Sequence, residues 1–154
     1  MNVVLNKKIK TFRNVRKFLS KIPLINYGGC GVAALSMYRW LKKNREYSPE
    51  IILLYYKIES YNTNKDNLDK EIPTKLLSSQ HCGINYHGLI LDSEELVFYT
   101  QYSWKQITNE KGLLKLLNTA NNWNMKFERE HIPEIAEKLE IDLSDVHLKD
   151  YPKN

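Results

Sequence analysis

Cys30 lies between Gly29 and Gly31, directly before a long apolar run. That placement puts a thiol at the start of a helix, where unpaired backbone N–H groups and the helix dipole favour the thiolate. The thiolate is the nucleophilic form, so the position suits covalent chemistry. Gly28, Gly29 and Gly31 let backbone and substrate approach the sulfur closely. A thiol nucleophile needs an imidazole within hydrogen-bond reach to protonate the leaving group. His87 is the expected partner, at the start of a strand. A third polar group usually fixes the imidazole tautomer. With a two-residue turn at Ser93-Glu94, Asp92 faces Glu95 and His87 falls opposite Thr100. Thr100 and Gln101 are then the candidate orienters, and Gln101 is the better one because an amide oxygen can accept the imidazole N–H.

Other arrangements of these residue types compete. Free cysteine is among the most buried residue types, so Cys30 could simply fill space in a core. His81 and Cys82 form a rival pair, but Cys82 sits in an expected loop without a helix N-terminus and reads as a rim or packing residue. Cys30, His81, Cys82 and His87 are zinc-ligand types, yet their spacing matches no zinc pattern. No metal and no cofactor is expected. There is no phosphate-binding glycine loop and no dinucleotide fingerprint. His131 and His147 read as surface residues.

The elements that must position the pair follow from periodicity. Residues 7–22 make an amphipathic helix, with Ile9, Phe12, Val15, Phe18, Leu19 and Ile22 on one side and lysines and arginines on the other. Pro23 stops it. A second helix begins at or just before Cys30 and runs to about Lys43, apolar almost all round and so central to the core. Residues 50–58 fit helix or strand equally. Residues 60–70 read as a surface loop, and 71–79 as a short helix with Pro73 in its first turn. Residues 80–91 read as a loop feeding a strand, turned at 92–95 and returned by 96–102, so that 86–102 is a β-hairpin. A helix over 109–119 capped by Thr108 or Asn109, a strand at 124–129 and a helix at 132–140 complete the reading.

The chain has 154 residues and a formal net charge of +5, with 42% apolar residues, which suits one soluble domain spanning 1–154. No run approaches a membrane span and no secretory signal is evident. Two cysteines do not make a disulfide framework, which points to a cytoplasmic protein with reduced thiols. Residues 1–45 hold eleven Lys or Arg and no Asp or Glu. The favoured reading is a basic third packed beside an acidic remainder. The sharper one is a basic face for nucleic acid or an acidic protein. Heavy use of Asn, Lys, Ile and Tyr suits an AT-rich genome, such as that of a virus or phage.

Cys-Gly-Val-Ala-Ala-Leu-Ser-Met at 30–37 resembles the helix start of C39-like peptidases, within the papain-like cysteine peptidase superfamily. Tyr27-Gly28-Gly29 before it is similar to NlpC/P60 relatives. The resemblance covers about 24–45 and 84–102. It implies an α+β, papain-like fold, with a central Cys-bearing helix packed on an antiparallel sheet that carries the histidine. C39-like enzymes carry an oxyanion-hole glutamine about six residues before the cysteine. Leu24 stands there, so Asn26 or Tyr27 would donate with the Cys30 N–H. The implied activity is that of a cysteine peptidase or thiol acyl hydrolase acting on a peptide, protein or other acyl substrate. Acyl transfer at the same site is one alternative. A catalytically decayed module that binds through its basic N-terminal face is another.

Overall fold

The computed structural model describes residues 8–26, 28–57, 77–94, 104–119 and 127–148. Four helices and a four-stranded antiparallel sheet make an α+β fold. Helix α1 spans Phe12–Ser20 and is capped by Thr11, whose Oγ1 accepts the Asn14 N–H at 3.1 Å. Its buried side is Phe12, Val15 and Leu19, three of the residues the helical spacing selects. Helix α2 spans Cys30–Arg45, and ten consecutive or near-consecutive residues from Cys30 to Leu41 are buried. Lys42, Lys43 and Arg45 crowd its C-terminal turn, where the dipole favours cations. Among the described residues no helix is long and apolar enough to cross a membrane.

Strand β1 (Glu50–Lys57) resolves the ambiguity at 50–58. It is central, between β2 (Leu77–Tyr86) and β4 (Trp104–Thr108), with β3 (Leu89–Leu91) outside β2. Ile51, Leu53 and Tyr55 face α2 and the other helices, while Ile52 and Leu54 join Ile90 on the opposite face. Burial on both faces requires a continuous apolar run, and such a run lacks the alternation that identifies a strand. Helix α3 (Glu110–Thr119) is capped by Asn109, whose Oδ1 accepts the Gly112 N–H at 2.8 Å. Helix α4 spans His131–Leu139.

Several expectations are corrected. The first helix begins at Phe12 rather than at residue 7, and Cys82 lies within β2 rather than in a loop. Residues 77–79 are part of β2 rather than the end of a helix. Residues 127–129 form a bend and turn rather than a strand. A hairpin turn stands at His87-Gly88, inside the stretch expected to be one strand: both residues have positive φ, 50° and 94°, and β2 pairs β3 from Tyr86↔Leu89 outward. Two positive φ angles define a type I′ turn, the connection that matches strand twist. Asn85 supports it by accepting the Gly88 N–H at 2.9 Å. The expected loop at 60–70 and the return strand at 96–102 lie outside the described residues.

Much of the N-terminal basic charge is used within the fold. Arg39 reaches Glu110 at 2.7 Å and grips both Asp145 oxygens at 2.8 Å. Lys42 pairs with Glu110, Lys8 with Glu140, and Lys43 donates to the Glu140 carbonyl. The Arg39 hydrogen bonds hold Asp145 below the usual carboxylate range.

The entry to α2 is tightly fitted. Gly28 has φ 103°, and a Cβ on Gly29 would lie 2.6 Å from the Phe127 ring and 2.7 Å from the Ile25 carbonyl oxygen. Gly29→Ala should therefore lower stability by about 2–3 kcal/mol through overpacking. Gly88→Ala, whose Cβ would meet nothing within 4 Å, should lose only about 1–2 kcal/mol from its left-handed backbone. Urea denaturation of the two variants tests this ranking.

Candidate active site

Cys30 opens α2 and retains 7% exposure. The helix has no side-chain N-cap, so its first-turn N–H groups are not claimed by one. Helix α2 lies against β2, and Cys30 and Cys82 share one core cluster. In β2 the pairing with β1 slips between Leu54↔His81 and Tyr55↔Ser79, leaving Gln80 as an extra residue. Such a bulge re-aims the adjoining side chain. His81 follows it, and Cys30 is near enough to its imidazole to raise the ring's pKa. Its Nε2 lies 2.8 Å from Asp92 Oδ2.

Asp92 comes directly after β3 and is itself held. Its Oδ1 accepts the Glu94 N–H at 2.7 Å, and its carbonyl accepts Arg16 Nε at 2.8 Å. Ser93 Oγ accepts from Asn26 Nδ2 at 3.0 Å. The Asn26 Oδ1 is buried without a partner among the described residues. His81, Asp92 and Ser93 are the buried polar side chains of this region, at 8%, 5% and 3% exposure. His81 and Asp92 partner one another, as do Asn26 Nδ2 and Ser93 Oγ.

These contacts set the charge of the imidazole. Burial is the largest single influence on His81 and acts downward. The hydrogen bonds to Asp92 and Cys30, with the charges of both, outweigh it and raise His81 to about 10. Arg16 is lowered mainly by burial, against the pull of the Asp92 charge, and a guanidinium lowered from 12.5 remains a cation at neutral pH. Cys82 is pushed well above the ordinary thiol value by burial first and by the nearby Cys30 charge second.

His87, expected beside Cys30, is at the other end of the molecule. Its ring is exposed and stacks on Tyr47 at 4.5 Å, and its backbone N–H donates to the Tyr47 hydroxyl. Tyr47 follows the C-terminus of α2, whereas Cys30 begins that helix. The sixteen residues of α2 span about 24 Å. The six strand steps from His81 to His87 span about 20 Å. The two lengths agree: β2 runs beside α2 with His81 at the cysteine end and His87 at the far end. Asn26 and Gly28, Gly29 and Gly31 lie at the α2 entry as expected. Tyr27, Thr100 and Gln101 lie outside the described residues. The role given to Gln101, hydrogen-bonding the imidazole, is held by Asp92. Among the described residues no three His, Cys, Asp or Glu are grouped to hold a metal ion.

The chain matches no family model, and no curated protein and no solved structure gives a significant match. The site must therefore be judged on its own chemistry. It holds a thiol at a helix N-terminus without a side-chain cap, an imidazole near it and a carboxylate on the imidazole's Nε2. Asp92 and Cys30 both favour the imidazolium form of His81.

The raised His81 carries a pH signature. Its folded value lies above the unfolded 6.5, so its contribution to stability is complete below pH 6.5 and is lost as pH rises toward 10. Urea midpoints should thus fall between pH 6.5 and 9. Asp92→Asn, which removes the carboxylate, should flatten that decline.

Proposed function

We propose that this chain is a cysteine peptidase or related thiol acyl hydrolase of papain-like type. Cys30 is the nucleophile, His81 the general acid and base, and Asp92 the group that orients the ring. One observation carries the reading: a buried imidazole hydrogen-bonded to a carboxylate 2.8 Å away and close enough to a helix-opening thiol to be raised by it. The order of a helix-borne cysteine followed by a strand-borne histidine agrees with the family that residues 30–37 resemble.

The chemistry follows from these groups. The Cys30 thiolate attacks a carbonyl carbon, forming a C–S bond as the carbonyl electron pair moves onto oxygen. The Cys30 N–H and a donor from the 26–29 loop steady that oxyanion. As the tetrahedral intermediate collapses, the His81 imidazolium protonates the departing amine, alcohol or thiol. The neutral imidazole, held in one tautomer by Asp92, then takes a proton from water. The resulting hydroxide attacks the thioester, and the thiolate leaves to restore the site. A basic binding module draws less support, because Arg39, Lys42, Lys43 and Lys8 are already engaged by acidic residues or carbonyls of the same chain.

Two measurements test the proposal. Iodoacetamide should alkylate Cys30 at pH 7, and His81→Ala should slow that reaction at least about tenfold through loss of the ion pair. His87→Ala should leave it within about twofold, and the reverse pattern would refute the assignment. With an activated ester such as p-nitrophenyl acetate, the native protein should release a burst of one equivalent of leaving group. Cys30→Ser should show no burst.

A further inference from the structure

Asp92 stands where no regular element fixes it, since β3 ends at Leu91. A carboxylate that orients an imidazole must itself be held to within a fraction of an ångström. Two side chains from distant parts of the sequence grip this segment at consecutive residues. Arg16, on α1, donates its Nε to the Asp92 carbonyl at 2.8 Å. Asn26, in the loop that leads into Cys30, donates to Ser93 Oγ at 3.0 Å. Both donors are partly buried, and each reaches across more than sixty residues of chain.

We infer that Arg16 and Asn26 are positioning residues that hold Asp92 against His81, making the N-terminal helix an integral part of the active site. The inference rests on the proposed roles of Cys30, His81 and Asp92. Arg16 is well suited to this work. It lies on α1, one position after the buried Val15, and its Nε reaches the backbone of residue 92 rather than the carboxylate. It therefore fixes the segment without competing with His81 for the Asp92 oxygens. Its positive charge beside Asp92 also favours the ionised carboxylate. Asn26 connects the same segment to the loop before Cys30, so nucleophile and orienter are tied through one short stretch of side chains. Among the described residues, the charged or titratable groups near His81 include Cys30 from α2 and Asp92 after β3, with Arg16 from α1 beside Asp92 and Cys82 adjacent on β2.

The experiment compares Arg16→Gln, Arg16→Lys, Asn26→Ala and the control Arg13→Gln, which removes a charge from the exposed side of the same helix. Two quantities are read beside the thermal midpoint. One is the His81 titration by NMR of histidine-labelled protein, its signals assigned with His81→Ala. The other is the Cys30 alkylation rate at pH 7. Arg16→Gln and Asn26→Ala should move the His81 titration midpoint down by about one pH unit or more and slow alkylation about three- to tenfold. Arg13→Gln should change neither, and Arg16→Lys should recover part of both. A purely structural role would lower the thermal midpoint while the His81 midpoint of the folded protein stayed in place, and that result would overturn the inference. If Arg16→Gln and Asn26→Ala match the native protein while His81→Ala abolishes labelling, positioning by Arg16 and Asn26 is refuted and the proposed function survives. If His81→Ala itself leaves labelling unchanged, both fall.

Discussion

A buried imidazole sets the constraint around which this fold is organised. Removing His81 from water disfavours its charged form, and an unpaired buried ring would be a liability of a few kcal/mol. The chain offsets that with a nearby thiol and a hydrogen-bonded carboxylate. Each partner then needs support of its own. Cys30 is supported by the dipole of α2, while Asp92 has the Glu94 amide and Arg16. The requirement spreads outward until it has enlisted α1, the α2 entry, β2 and the turn after β3. A site assembled from four separated segments cannot form until most of the domain has folded.

The geometry of that assembly depends on one turn. His87 and Gly88 both adopt positive φ, and the tight I′ connection locks Ile84 opposite Leu91. Continued past β3, that register brings the residue after Leu91 within reach of β2, and Asp92 meets His81 there. Centring the pairing on a turn at 92–95, where the acidic and serine residues invite one, selects His87, six residues after His81, as the imidazole facing the cysteine. The legible signal was Asn85-Tyr86-His87-Gly88 between apolar runs, with an Asn to accept the Gly amide. It is weaker than Asn-Gly or Asp-Gly, the pairs that dominate such turns.

The helical half of the structure was easier to read. Phe12, Val15 and Leu19 at helical spacing, and the unbroken apolar face from Val32 to Leu41, have no other good solution. The Gly-Gly-Cys-Gly entry marked the start of α2, and the space at Gly29 shows the physical reason: any side chain there would strike Phe127 and the Ile25 backbone. Strand β1 was ambiguous because it is buried on both faces. The bulge at Gln80 was invisible, since a single extra residue leaves no trace in composition or periodicity, yet it adjoins the residue on which the site depends.

The two cysteines show how environment separates identical side chains. Both are buried and both lie in the same core cluster. Cys82 is next to His81 in sequence, and proximity along the chain would make them partners. In a strand, however, adjacent side chains point away from one another. Cys82 pairs across from Leu53 and enters the apolar layer beneath α2, where burial and the Cys30 charge both oppose its ionisation. Cys30, fifty-two positions away, meets the imidazole and the open end of a helix dipole. Identical thiols thus meet different surroundings: Cys30 the open end of a helix beside an imidazole, Cys82 the apolar interior of the core.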